Sequence, residues 1–201
     1  MKTSIIYRNI YIYRIVMNIL YSMHYRKRFK DIINLFSEKD KNVLELCFGD
    51  IYIARECKVR GINWMGIDLN DSFVNHAKDK GFNAIKNDLK KLGEFPYSDA
   101  CIMSGSLYHF NDDLENLLSK ILKATPKIII SEPIVNLSSK KGLIGKIAKI
   151  LTNAGHGQEI FRFDQNSILN SLEIHKKKLN FTYKVISIKR DILIEITNEG
   201  N

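Results

Sequence analysis

Short apolar runs alternate along this chain with segments whose apolar residues recur every three or four positions. The runs Val43–Cys47, Trp64–Asp68, Asn83–Lys86, Ala100–Ser104 and Lys127–Ser131 read as short strands of the fully buried kind. Between them, Ile51–Arg60, Asp71–Lys80 and Asn111–Ala124 read as helices, the last with Leu114, Leu117, Leu118 and Ile121 at helical spacing. Gly61 and Gly81 stop the first two as C-terminal caps. Strands alternating with helices in this way predict a parallel sheet covered on both faces. The pattern then changes: Phe181–Ile188 and Asp191–Ile196 flank a tight Lys189-Arg190 turn and predict an antiparallel hairpin. The expected fold class is therefore α/β, a three-layer Rossmann-like sandwich. Its seven-stranded sheet is mostly parallel, ends in the hairpin and carries an extra N-terminal helix.

A chain of 201 residues, 45% of them hydrophobic, can bury one sizeable core. We expect a helical cap over residues 1–36 and one main domain over 37–201. The formal charge of +9 is uneven. Residues 1–30 hold Lys2, Arg8, Arg14, Arg26, Lys27, Arg28 and Lys30 and no acid, which leaves the rest of the chain nearly balanced. A nucleic-acid enzyme needs a basic face beside its cleft, whereas here the excess sits at one end, so nucleic acid is a disfavoured partner. Arg8 and Arg14 interrupt the apolar leader and no small-residue cleavage site follows, which argues against a membrane span or a signal peptide. A basic, aromatic-rich helix remains. It suits packing on the domain, on a second copy in a homodimer, over the active site, or along a membrane surface through residues 5–30. Cys47, Cys57 and Cys101 lie in apolar segments without a CxxC pair. They read as reduced thiols of a cytoplasmic protein, with no metal site expected and a peripheral place on the inner membrane face left open.

In open α/β sheets ligands bind beyond the carboxyl ends of the strands, where the strand order reverses. The strand ends here supply Glu45, Cys47, Phe48, Gly49 and Asp50, then Asp68 with Leu69, then Asp88 with Leu89. Ser104, Gly105 and Ser106 follow the fourth strand, and Glu132 the fifth. Asp68 lies 19 residues beyond Gly49, the spacing at which an acid accepts hydrogen bonds from ribose hydroxyls. A carboxylate at Asp88 can accept from an adenine amine.

VLELCFGD (Val43–Asp50), GIDLN (Gly66–Asn70), NDL (Asn87–Leu89) and DACIMSGSLYHF (Asp99–Phe110) together resemble the class I S-adenosylmethionine-dependent methyltransferases. The resemblance runs from about Asn42 to Pro133. It implies S-adenosylmethionine (SAM) as cofactor and the strand-end residues above, Glu45 to Ser106, as its binding set. The chain departs from that pattern where the family's first glycine is Cys47 and its third is Ile51. Cys47 is small enough to permit close approach if its backbone stays in a β conformation. Ile51, being β-branched, resists positive φ and is expected to begin the helix with Asp50 as N-cap.

Methyl transfer demands alignment above all, and a base only where the acceptor must lose a proton. His109 and His156 are the candidate catalytic residues, with a packing role the alternative for His109. Tyr108, Glu132 and Arg162 are candidates for acceptor binding, and residues 134–180 form the variable region expected to shape the acceptor pocket. Arg162 can hold a carboxylate or phosphate bidentately, and Lys140, Lys141 and Lys176–Lys178 read as solvated faces. The expected function is O- or N-directed methyl transfer to a small-molecule acceptor, including an anionic or a sugar- or lipid-linked metabolite. A nucleic-acid methyltransferase and a non-catalytic binding or scaffold protein of the same fold are the alternatives. No NPPY-like tetrapeptide follows the fourth strand to favour the first of these.

Overall fold

The computed structural model describes residues 5–135 and 161–200. A single 3-10 turn at Ile5–Arg8 leads into α1 (Ile10–Leu20) and α2 (Tyr25–Ile33). The α/β core follows as β1 (Asn42–Leu46), α3 (Tyr52–Val59), β2 (Asn63–Asp68), α4 (Asp71–Asp79), β3 (Asn83–Lys86) and β4 (Ala100–Ser104). A 3-10 segment, Leu107–Asp113, then runs into α5 (Leu114–Ala124), β5 (Lys127–Pro133), α6 (Gln165–Leu179), β6 (Phe181–Ile188) and β7 (Asp191–Asn198).

The seven strands lie in the order β3-β2-β1-β4-β5-β7-β6. The pairs β1–β2, β1–β4, β2–β3 and β4–β5 are parallel, and β7 runs antiparallel to both β5 and β6. The period-2 alternation of a strand divides its side chains between two apolar layers. On β4, Cys101 and Met103 enter the layer of α5 and α6, while Ala100 and Ile102 enter the layer of α1 to α4. On β5, Ile128 and Ile130 face the first layer and Ile129 the second. Strands buried on both faces need apolar residues at nearly every position, which explains the unbroken runs in the sequence.

Two elements differ from expectation. The leader is broken at Ser22 and Met23, both left-handed at φ 48° and 65°, into two helices. The segment expected as helix from Asn111 starts as a 3-10 turn at Leu107, bends at Phe110 and becomes α-helical only at Leu114. A third element, α6, falls inside the region expected to be variable. Its N-terminus is closed by a capping box in which Asp164 accepts from the Ser167 backbone N–H and Ser167 Oγ accepts from that of Asp164. Gly61 and Gly81 take φ of +67° and +75° directly after α3 and α4, where only a residue without Cβ turns the chain at no cost.

Candidate functional site

The strand order reverses between β1 and β4, and a cleft of about 410 Å³ opens at their carboxyl ends. The residues that build it come chiefly from four successive strand ends, which the parallel register brings to one edge of the sheet. Cys47 and Gly49 follow β1, Asp68 and Leu69 close β2, and Asp88 and Leu89 follow β3. Ser104, Gly105 and Ser106 follow β4, with Tyr108 and His109 on the 3-10 segment beyond.

Asp68 is the hinge of this arrangement. Its Oδ2 accepts from the Gly49 N–H at 3.0 Å and its Oδ1 from the Asn70 N–H at 2.8 Å, tying the β1 turn to the end of β2. Burial raises its pKa from the ordinary aspartate value to about 6, against the backbone N–H groups of Asn70, Gly49 and Leu69, which pull it down.

The β1 turn differs from the sequence reading in two ways. Cys47 has φ +53°, so it adopts the left-handed conformation of the glycine it replaces rather than a β conformation. The reason is register: the Cys47 N–H still donates to Ile67 O at 2.7 Å, and the chain must bend at once to reach the Gly49–Asp68 bond. Asp50 is not the N-cap of α3, since that position belongs to Ile51, which has no capping side chain. Asp50 instead receives Arg14 of α1 through Nε at 2.8 Å and Nη2 at 2.7 Å, a bidentate pair in which the carboxylate is buried and the guanidinium half-buried.

Three further expectations for the cleft are corrected. Glu45, Phe48 and Asp50 do not line it. Glu45 lies in the opposite layer, where its Oε2 accepts from Trp64 Nε1 at 2.8 Å and burial pushes its carboxyl well above the usual range. Phe48 packs edge-on against the same indole at 5.3 Å. The alternation that sends Leu44 and Leu46 to the α5 layer sends Glu45 away from it. His156 lies outside the described residues. Glu132 and Arg162 stand behind the wall of the cleft. Glu132 Oε2 accepts from the Leu107 N–H at 3.0 Å, and the Arg162 guanidinium lies 3.6 Å from the centre of the Tyr108 ring. The Tyr108 and His109 rings are 3.9 Å apart. Burial raises the Glu132 carboxyl to about 7, with Arg28 the main opposing charge.

Sequence reasoning offered the active site as one place for the N-terminal segment but named none of its residues there. Tyr7, Arg8 and Tyr13 line the cleft, and Tyr13 packs on Phe73 at 5.0 Å between ring centres. Asn70 Nδ2 donates to Tyr7 O at 2.8 Å and Ser72 Oγ to Arg8 O at 3.1 Å, so the start of α4 holds the leader in place. Two glycines expected to admit a cofactor also admit this segment. A Cβ on Gly49 would stand 3.2 Å from the Tyr13 hydroxyl, and one on Gly105 would stand 2.7 Å from the Arg28 guanidinium. A run of tyrosines and arginines announced a basic aromatic segment but carried no signal of which residue meets which strand end. Among the described residues, no group of three or more His, Cys, Asp or Glu side chains could hold a metal ion.

No family model matches the sequence, and no curated protein matches it. Solved structures do match in fold. The N-terminal domain of EvdMO1 with SAH bound superimposes with a TM-score of 0.63 at 15% identity, over 86% of this chain and 80% of that one. Human N-acetylserotonin methyltransferase in complex with SAM gives 0.63 at 15% identity, over 96% of this chain. This chain matches only 57% of the length of the human enzyme. Magnesium protoporphyrin IX methyltransferase from Synechocystis PCC 6803, with SAH bound, gives 0.61 at 14% identity over 90% and 84% of the two chains. The chain has the fold of the class I SAM-dependent methyltransferases.

Proposed function

We propose that the protein is a SAM-dependent methyltransferase acting, O- or N-directed, on a small-molecule acceptor. The observation that carries this reading is the Asp68–Gly49 hydrogen bond at the switch-point cleft. It sets a buried acid beside a left-handed turn, where an adenosine ribose needs an acceptor. The rest of the cleft fits the cofactor's chemistry. Asp88 stands at the end of β3 for the adenine amine, and Leu69, Leu89 and Phe110 offer apolar walls for the base. The Cys47–Gly49 turn and the Ser104–Ser106 turn face each other across the crevice for the amino-acid tail and the methyl donor. The Ser104 hydroxyl has no hydrogen-bond partner among the described residues, and the Ser106 hydroxyl lies beside the Cys47 thiol. When bound, SAM supplies a methyl group on a cationic sulfur that an acceptor oxygen or nitrogen takes by in-line displacement.

In this reading the protein's own residues align the acceptor and keep water out. Tyr108 and His109 form the acceptor-side wall, Arg162 fixes the Tyr108 ring from behind, and Glu132 holds the start of the 3-10 segment through Leu107. His109 is the group that takes a proton if the acceptor is a hydroxyl. Tyr7 and Tyr13 cover the cofactor side.

Calorimetric titration with SAM and with its demethylated product SAH tests the reading. Micromolar binding of both is expected. Asp68→Ala should weaken it by about 100-fold, the loss of charged hydrogen bonds to two hydroxyls. A folded parent protein that binds neither compound overturns the proposal. An Asp68→Ala variant that binds as the parent does removes the ribose assignment.

A further inference from the structure

α1 carries apolar side chains on an inner and an outer face, and only the inner face is used by the domain. Ile10 and Leu20 are buried and Tyr13 and Arg14 face the cleft and Asp50. The outer half is left to solvent: Tyr11 is 64% exposed, Ile15 61%, Ile19 41% and Ile12 39%, and Met23 in the turn beyond is 77% exposed. Residues 11, 15 and 19 are each four apart, so with Ile12 they form one continuous stripe. Contiguous exposed apolar patches of this kind mark interaction surfaces.

The charge around the stripe selects the occupant. Residues 1–30 contain no acid. Arg14 and Arg28 are neutralised inside the protein by Asp50 and Asp191, and Lys27 pairs with Asp31 at the surface, while Arg26 and Lys30 add exposed cations on α2. A second copy seated on the same stripe would bring one cationic segment against another, because a two-fold contact pairs a surface with itself. Among the described residues no helix is long and apolar enough to cross a membrane, which leaves a helix lying in the interface plane with its cations at the headgroups. We propose that the outer face of α1, with Met23, docks on an anionic lipid bilayer.

The test is co-sedimentation of the full chain with vesicles of phosphatidylcholine alone and with about one-third phosphatidylglycerol. Binding to the anionic vesicles should be at least about tenfold tighter than to the neutral ones and should weaken as salt shortens the range of the lipid charge. Ile15→Glu/Ile19→Glu should lower it at least about tenfold, with the circular-dichroism melting curve of the parent retained because both side chains are exposed. Arg26→Glu/Lys30→Glu should lower it further in low salt than in high salt. Three outcomes overturn the proposal. They are no sedimentation with anionic vesicles, retained binding by the folded Ile15→Glu/Ile19→Glu variant, and a dimer in sedimentation velocity that this variant dissolves.

Discussion

At the scale of the residue, Asp68 and Glu132 carry the site's pH behaviour, and they do so with opposite consequences for binding and for folding. Both carboxyls are raised by burial, Asp68 to about 6 and Glu132 to about 7. Under the proposed ribose role, protonated Asp68 offers one acceptor fewer, so SAM affinity should fall as pH drops through about 6. Folding responds the other way. A carboxyl that holds its proton more tightly in the folded state contributes stability in full below its unfolded pKa and loses it as pH rises through the folded pKa. That window runs from 3.8 to about 6 for Asp68 and from 4.5 to about 7 for Glu132, about 3 kcal/mol for each group. Thermal melting and SAM titration across about pH 5 to 8 should therefore show the melting temperature falling while the affinity rises. A melting temperature that climbs over the same range would mean that burial does not govern these two groups. The place of Asp68 at the end of β2, opposite the Gly49 turn, was legible in the sequence from its strand and its spacing. The left-handed Cys47 was not, because a residue's φ follows from the bonds on either side of the turn, and no side-chain preference pointed to it.

At the scale of the element, the N-terminal helices are held by two arginines whose partners lie far along the chain. Arg14 reaches Asp50, which is fully buried, and Arg28 reaches Asp191, Ser131 O at 2.6 Å and Ser131 Oγ at 3.2 Å. The sequence announced their charge and hid their use, since a buried arginine and a solvated one look alike in a basic segment. It also hid the break at Ser22–Met23, where neither glycine nor proline stands. By contrast, the ends of α3 and α4 were readable to within a residue or two because Gly61 and Gly81 mark them. α6 carried a start signal in Asp164 and Ser167 that was readable in principle. Arg14→Ala would leave the Asp50 carboxylate buried without its partner. The loss expected in denaturant unfolding is about 3–5 kcal/mol, with weaker SAM binding because α1 no longer holds Tyr13 against Gly49. A loss below about 1 kcal/mol would place the pair among surface bridges of little consequence.

At the scale of the whole molecule, the class of fold was legible and the closure of its ends was not. Alternating strands and helices imply a parallel sheet, and the Lys189-Arg190 turn implies the hairpin, because each rests on local periodicity and turn chemistry. Strand order and the β1–β4 crevice depend on how helices cross the sheet, and only the general rule for open α/β sheets anticipated where the cleft would lie. The link between the two ends of the chain had no local signature. Tyr21 Oη donates to Asp191 across 170 residues of sequence, Arg190 Nη1 donates to Leu20 O, and Arg28 Nε meets Asp191 Oδ2 at 2.9 Å. These bonds join the end of α1 and the first half of α2 to Arg190 and the start of β7, which lies between β5 and β6 in the sheet, so the cap and the hairpin should unfold together. A double-mutant cycle measures this. Arg28→Met and Asp191→Leu should each cost about 3–5 kcal/mol, since each leaves the other charge without its ionic partner, held only by Tyr21 or by Ser131. The double variant should recover a coupling of about 2 kcal/mol or more, with Ser131 O still lacking its donor. A single unfolding transition in the parent that separates into two in either single variant would identify the pair as the joint between the ends. Additive losses with one transition throughout would assign that joint to the apolar contacts of Tyr25, Phe29 and Ile32 instead.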